Sequence, residues 1–504
     1  MSFVIENVFD KYTDPATLAR IVDYPNVTAM WRECVRQYAD LPAIDDGRTY
    51  SYSELDDLAS KVRGMLEKAG VARNAKVGIF MPNSVQFVYS FIGCSTYGAT
   101  AVLIPPQLDD VTLFGFSMKY GLDALLTVEA MLQKTGVLAA KRPGFPVLDA
   151  GNPGEDRATD LDMDTDSPCA VMFTGGTTGR SKGVILSHRA VMRGTKNGCY
   201  GYKEVFNQRY FIVLPMTHVF GLIRNTLTSL YTGSCLHVCH DNTQMFKEIA
   251  MFRPTIMVLV PALAEMALNI SRQFGRNMLG PDCKYIICGA ASVAPYLVKA
   301  WKNLGITLFP GYGLTESANL VSGNPDCLEH PDSVGYIYSG MDVKVVDGEL
   351  WLKGVNMLDG YASEPEEEEA RSFSDGWFRT GDLVRFDDEG RLYITGRIKE
   401  IIVLSNGENI SPAELEATFN ECDFIQDCLV YSRIENGREL LVLEVLPRPA
   451  VIATVEESLR DSFIREQINE INAKLPSFKQ VNKVVIRTTD FKRSPSMKIL
   501  RKQD

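Results

Sequence analysis

Residues Phe173 to Gly183 read Phe-Thr-Gly-Gly-Thr-Thr-Gly-Arg-Ser-Lys-Gly, directly after the apolar run Cys169-Ala170-Val171-Met172. Gly175, Gly176 and Gly179 allow backbone N–H groups to approach an anion closely. The hydroxyls of Thr174, Thr177 and Thr178 and the cations Arg180 and Lys182 add donors and charge. This is chemistry for holding a polyphosphate such as a nucleoside triphosphate. It is not the common phosphate loop, because Lys182 precedes Gly183 and no Gly-Lys pair occurs. Nor is it the dinucleotide fingerprint, whose first glycine spacing is missing. A glycine-rich surface turn has a similar composition; the strand before it and the two cations behind it favour phosphate.

Four further segments carry reactive side chains. In Gly311-Tyr312-Gly313-Leu314-Thr315-Glu316 a tyrosine between glycines can lie against a planar base, Thr315 can reach a phosphate, and Glu316 offers hard oxygen to Mg²⁺. Read alone, the same segment is a turn with a core tyrosine. Gly376 to Asp382 places a carboxylate on an expected turn, suited to accept both hydroxyls of a ribose. Gly396-Arg397-Ile398-Lys399 adds two cations. Lys498 stands in Ser496-Met497-Lys498-Ile499-Leu500, where an isolated lysine is ordinarily a solvated charge.

The elements that must position these groups follow from short apolar runs. Cys169–Phe173 ends at the phosphate-type loop, Phe211–Leu214 at Pro215-Met216-Thr217-His218, Thr255–Val260 at Pro261, Tyr285–Cys288 at Gly289-Ala290-Ala291, and Thr307–Phe309 at Pro310-Gly311-Tyr312. Helix-length segments separate most of them, the pattern of a largely parallel sheet in an α/β domain. Ligands bind such sheets at the carboxyl ends of the strands, where the glycines, His218 and Tyr312 fall. Asp56 to Ala69 is an amphipathic helix, and Gly151 to Asp166 is an acidic loop. After Gly360 the composition changes. A helix is expected from Ser411-Pro412, a hairpin over Cys428–Val445 turning at Asn436-Gly437, a helix over Val455–Leu475 and a strand over Lys483–Arg487. The tail, about a hundred residues long, fits a small α+β domain.

The 504 residues carry a net charge of −11 and are 45% hydrophobic, which argues against nucleic acid or an anionic membrane as the main partner. The first residues show no signal pattern, and Pro261 and Glu265 break the longest apolar stretch, so no membrane span is expected. Eleven cysteines without paired spacing point to reduced thiols and a cytoplasmic enzyme. Cys235, His237 and Cys239 share one face of a strand and could ligate a metal, but single-strand metal sites are unusual and a buried strand is the expectation.

Taken together and in this order, the five segments resemble the ANL superfamily of AMP-forming adenylating enzymes, from about Thr49 to Leu500. The resemblance implies a large N-terminal domain of layered sheets and helices, residues 1–398, and a small mobile α+β domain, residues 399–504. It implies that Thr174, Gly175, Gly176, Thr177, Thr178, Gly179 and Lys182 bind the triphosphate. Gly289, Ala290, Ala291, Gly311, Tyr312 and Gly313 then flank the nucleotide, and Asp382 and Arg397 hold the ribose. Glu316 holds Mg²⁺ beside Thr315, Lys399 is the hinge, and Lys498 is the catalytic lysine of the first half-reaction. His218 gates an acyl pocket that includes Phe220, Gly221, Leu222, Ala290 and Gly313. Ser405, Asn406 and Gly407 meet the thiol acceptor. The implied activity is conversion of a carboxylic acid and ATP to acyl-AMP and pyrophosphate, then transfer to coenzyme A.

No Asp or Glu follows His218 closely, which argues against an amino-acid substrate and for a fatty or aryl acid. Arg224 is expected at the surface rather than against a second substrate carboxylate. The chain departs from many relatives at Met497, where they carry Gly, at Gly175, where they carry Ser, and at Ser181, where they carry Pro. Loading of a carrier-protein thiol is the alternative acceptor chemistry. A nucleotide-binding sensor on the same fold is the non-enzymatic alternative. The sequence leaves the oligomeric state open.

Overall fold

The computed structural model describes residues 8–174, 181–363, 372–404, 408–435, 438–493 and 499–501. Two large sheets build the N-terminal part. One runs, in spatial order, Gly360–Ala362, Gly183–Ser187, Pro168–Phe173, Thr100–Leu103, Lys76–Ile79, Ala124–Thr127 and Val147–Asp149. The other runs Tyr336–Ile337, Asn319–Gly323, Thr307–Leu314, Tyr285–Cys288, Ile256–Leu259, Arg209–Ile212, Cys235–Val238, Pro42–Asp46 and Arg48–Ser51. Central strands pair in parallel and antiparallel strands close the edges. The central strands Thr100–Leu103, Ala124–Thr127 and Ile256–Leu259 are buried at every position, as continuous apolar runs covered on both faces should be.

Helices fill the space between the sheets. Val85–Tyr97 is buried all round apart from one residue, the signature of a helix packed inside a core. Ser51 caps Tyr52–Lys68 through a reciprocal hydrogen-bond pair with Glu54, which fixes where that helix starts. A single apolar cluster joins both sheets and these helices.

A third sheet, Met341–Val346, Glu349–Gly354, Trp377–Phe386 and Phe373–Ser374, with Leu392–Arg397 on the Trp377–Phe386 strand, leads to the small C-terminal part. There Ile425–Glu435, Arg438–Pro447 and Lys483–Ile486 form a sheet covered by the helices Pro412–Phe419 and Arg460–Asn472. This part has its own apolar cluster, centred on Phe419, Leu443 and Ile468. Ser411 caps Pro412–Phe419 by accepting from the Glu414 amide, and Glu435 pairs with Arg438 across the expected hairpin. The helix expected from Val455 begins at Arg460, after a single turn at Glu457–Leu459. The Thr454 and Val455 amides instead donate to Val451 and Ile452, closing the separate short helix Pro449–Ile452 before it.

Candidate active site

Parallel register brings the carboxyl ends of the strands to one end of the large sheet. Two expectations about local structure are corrected there. Tyr312 does not sit on a turn: the strand continues through Thr307–Leu314, pairing antiparallel with Asn319–Gly323. Asp382 does not sit on a turn either, but inside the ten-residue strand Trp377–Phe386, directly opposite Arg397 on Leu392–Arg397. In both cases antiparallel pairing with the next strand supplies the extended conformation that local glycines disfavour. The close approach is strict at Gly313, where an added Cβ would lie 1.5 Å from the Asn319 carbonyl oxygen.

These strands converge on Asp382. The Tyr312 hydroxyl donates to its Oδ2 at 2.6 Å, and Arg397 Nε donates to Oδ1 at 2.6 Å. The Asp382 amide donates to Thr380 Oγ1. Asp382 is 3% exposed, so the carboxylate is fixed in place and matched by a cation. Burial works against the Arg397 charge, but the neighbouring Asp382 carboxylate outweighs it and holds the guanidinium firmly protonated, while burial pushes the Tyr312 phenol up.

A second chain of contacts links the phosphate-type loop to Glu316. The described stem of that loop is closed by Thr174, whose amide donates to the Lys182 carbonyl while its Oγ1 accepts from the Lys182 amide. The Lys182 ammonium lies 4.8 Å from the centre of the Tyr361 ring, and the Tyr361 hydroxyl donates to Glu316 Oε1 at 3.0 Å. Tyr361 was not singled out from sequence. It lies in the edge strand Gly360–Ala362, far along the chain from both groups it joins. Burial raises the Glu316 carboxyl above the ordinary range, opposed by the Tyr361 hydrogen bond and the charges of Arg397 and Lys182. Thr315 opens the single turn Thr315–Ser317 that presents Glu316.

Among the described residues no three His, Cys, Asp or Glu side chains cluster as a metal cage. A recessed carboxylate beside the phosphate-type loop fits Mg²⁺, which binds through one or two carboxylates and completes its shell with substrate phosphate and water. His237, the proposed metal-ligand alternative, instead bonds Asp45 Oδ2 at 2.7 Å and Glu248 Oε2 at 3.0 Å, and Cys235 is buried.

The segment expected to border an acyl pocket, Phe220–Leu227, is wound as a π-helix. Asn83 holds the segment before it: its Nδ2 donates to the Leu214 carbonyl and its Oδ1 accepts from the Met216 amide, both at 2.8 Å. The His218 amide donates to the Pro215 carbonyl, and the His218 carbonyl accepts from Leu222. Gly221 packs against the Pro215 carbonyl, which would lie 2.1 Å from an added Cβ. A Cβ on Gly289 would stand 3.0 Å from the Gly311 carbonyl and 3.6 Å from Phe220 Cζ, so the Phe220 segment, the Gly289 turn and the Tyr312 strand meet. Ala290 takes a φ of +67°, a strained setting for a residue with a side chain; Ala291 follows it in the same bend. Leu222 is buried. Arg224 is not at the surface: it is 1% exposed.

Lys399 is exposed in the turn Ile398–Glu400 at the end of the Arg397 strand. Gly175, Gly176, Thr177, Thr178, Gly179, Ser405, Asn406, Gly407 and Lys498 lie outside the described residues.

The chain matches the AMP-binding enzyme family over residues 31–362 and the AMP-binding enzyme C-terminal domain over residues 399–504. It is 26% identical to 4-coumarate–CoA ligase 2 of Oryza sativa subsp. japonica, with 89% of this chain and 88% of the relative covered. It is 30% identical to long-chain-fatty-acid–CoA ligase FadD13 of Mycobacterium tuberculosis (strain ATCC 25618 / H37Rv), covering 73% and 77%. The fold superposes on the anthranilate CoA ligase AuaEII in complex with anthranoyl-AMP with a TM-score of 0.84 at 20% identity, covering 95% of this chain and 96% of that one. By family match, relatives and fold together, the chain belongs to the AMP-binding enzyme family.

Proposed function

We propose that the protein is an AMP-forming acid–CoA ligase acting on a fatty or aryl acid. A substrate carboxylate oxygen attacks the α-phosphorus of ATP. The bond from that phosphorus to the bridging oxygen breaks, giving acyl-AMP and pyrophosphate. The sulfur of CoA then attacks the acyl carbonyl, its proton passes to solvent, and AMP leaves. The observation that carries this reading is the convergence of Tyr312, Asp382 and Arg397 on one point, with Lys182, Tyr361 and Glu316 forming a second linked set.

Asp382 accepts from the ribose hydroxyls, with Arg397 as its hydrogen-bonded counter-charge and the Tyr312 ring beside the base. The loop from Thr174 to Lys182 receives the β- and γ-phosphates. Glu316 would hold Mg²⁺, which supplies charge neutralisation along the triphosphate. Lys498 joins the acid carboxylate to the α-phosphate in the first step. The 399–504 domain then pivots at Lys399 to bring Ser405, Asn406 and Gly407 to the thiol, a closure hinged at an element end. His218 and Phe220 border the acid. A carrier-protein thiol in place of CoA is the finer acceptor question. All eleven cysteines are free, which supports a reducing compartment and the cytoplasm as the location. Among the described residues no helix is long and apolar enough to cross a membrane.

The test is pyrophosphate release from MgATP over a panel of fatty, aryl and amino acids, with and without CoA. The expected result is release with fatty or aryl acids and a CoA thioester as product. Binding of ATP without pyrophosphate release for any acid sinks the proposal. In the same assay Lys498→Ala should suppress adenylate formation and spare thioester formation from supplied acyl-AMP.

A further inference from the structure

Arg224 is a buried cation whose described neighbours, including the Tyr202 phenol that hydrogen-bonds it, bring no counter-charge. It lies on the π-helix Phe220–Leu227, in the segment that borders the acid, and is 1% exposed. Its Nε and Nη1 are buried and make no hydrogen bond. Among the described residues no carboxylate forms an ion pair with it. The ionisable groups that act on it are Tyr202, Tyr210, Tyr338 and Cys199. Burial pushes the three phenols up and the Cys199 thiol up to about 12, so all four are neutral at physiological pH. The nearest ring contact is Tyr202, with its centre 5.9 Å from the guanidinium carbon. A guanidinium cannot shed its proton to escape burial. Removing such a charge from water without a partner is among the costlier things a fold can do.

Arg224 lines a small cavity of about 30 Å³ together with Tyr202, Ile287, Phe309, Gly311 and Tyr338. Gly311 immediately precedes Tyr312, so the cavity adjoins the adenylate segment. The space suits a compact group rather than a long alkyl tail. The π-helix contributes directly: Thr226 and Thr228 donate their hydroxyls five residues back, to Gly221 and Ile223, and the wider winding changes which residues face inward.

We propose that Arg224 is a specificity-determining residue, and that the acid this enzyme activates carries a second, distal carboxylate that pairs with the Arg224 guanidinium in this cavity. The inference rests on the acid–CoA ligase reading and deepens it. The first carboxylate of such an acid reacts at phosphorus; the second is held by a bidentate pair that gives the cation its missing counter-charge. A monoacid of equal length leaves the guanidinium buried and unpaired, which is the strongest way a site can reject a substrate.

The experiment is pyrophosphate release from MgATP with matched pairs: butanoate and butanedioate, hexanoate and hexanedioate, benzoate and benzene-1,4-dicarboxylate. At least one diacid should exceed its matched monoacid by about a hundredfold or more in kcat/KM. Arg224→Leu should lower that diacid's kcat/KM by a similar factor, raise the matched monoacid's, and leave the KM for ATP unchanged. Arg224→Lys, which keeps the charge but loses the fork, should fall between. If Arg224→Leu does not fold, the wild-type pairs and Arg224→Lys carry the test. Wild-type enzyme that prefers the monoacid of every pair, or an Arg224→Lys that loses both members of a pair equally, overturns the proposal and leaves the ligase reading standing. Release with none of these acids, nor with any acid of the wider panel, sinks the ligase reading itself.

Discussion

At Asp382 one carboxyl group accepts short hydrogen bonds from two strands, Tyr312 Oη at one oxygen and Arg397 Nε at the other. This geometry makes the two partners separable. Tyr312→Phe removes one hydrogen bond to a carboxylate and keeps the ring, so the KM for ATP should rise by about tenfold, the low end for a hydrogen bond to a charged group. Asp382→Asn cannot accept at both atoms and leaves the half-buried Arg397 cation without its counter-charge. Losing a charge-assisted bond costs about 1.5–3 kcal/mol, so ATP KM should rise by about 10- to 100-fold. Pyrophosphate exchange at varied ATP checks both. An Asp382→Asn enzyme with unchanged ATP KM and a lower kcat would place the carboxylate in the chemistry rather than in ribose binding.

The helix His188–Asn197 shows how an element can record pH. Ser187 caps it, and His188, at its first position, is fully buried with Nδ1 accepting from the Val27 amide at 3.3 Å. Burial lowers the His188 pKa from 6.5 to about 4, and the helix N-terminus also disfavours a cation. The unfolded chain therefore binds a proton between pH 6.5 and 4 that the folded chain refuses. Stability contributed by this group is intact above pH 6.5 and is lost as pH falls through that window, by up to about 3 kcal/mol. His188→Asn keeps an acceptor near the Nδ1 position. It should melt at a lower temperature than wild type at pH 8, yet lose less of its melting temperature on acidification to pH 4; parallel curves for the two proteins would refute the assignment. The elements themselves were legible wherever the signal was local. Apolar runs meeting turn residues marked the ends of the strands Pro168–Phe173 and Tyr285–Cys288, and Ser411-Pro412 marked a capped helix. What could not be read depended on pairing across the chain. Gly311 and Gly313 argue locally for a turn, and only Asn319–Gly323 makes them a strand. Tyr361 gains its role from the two distant groups it joins, and Arg224, a charged residue with the ordinary expectation of solvent, is buried by tyrosines from other elements.

At the scale of the molecule, two apolar cores meet through a polar contact. Arg448, at the end of the Arg438–Pro447 strand, is held within its own domain by the carbonyls of Asp423 at 2.5 Å and Ile425 at 3.0 Å. From there it reaches the large domain, bonding Glu265 Oε1 at 2.7 Å and the Tyr296 hydroxyl at 3.0 Å, while Tyr296 also donates to Glu265. Arg448 is 2% exposed and Glu265 12%, so this is a buried charge pair across a domain boundary. The proposed reaction needs two orientations of the small domain, and this contact belongs to the one described. Neither residue borders the proposed substrates, so losing the contact between the two parts shifts the balance between orientations, each 1.4 kcal/mol by about tenfold. Glu265→Gln and Arg448→Met should each slow the half-reaction served by this orientation and spare or speed the other. The double variant should cost less than the sum of the singles, because the partners share one interaction. Measuring pyrophosphate exchange and thioester formation from supplied acyl-AMP separately decides the matter. Equal loss in both half-reactions would make the contact a structural tie, whereas opposite changes would make it the latch that sets how long the small domain stays in this position.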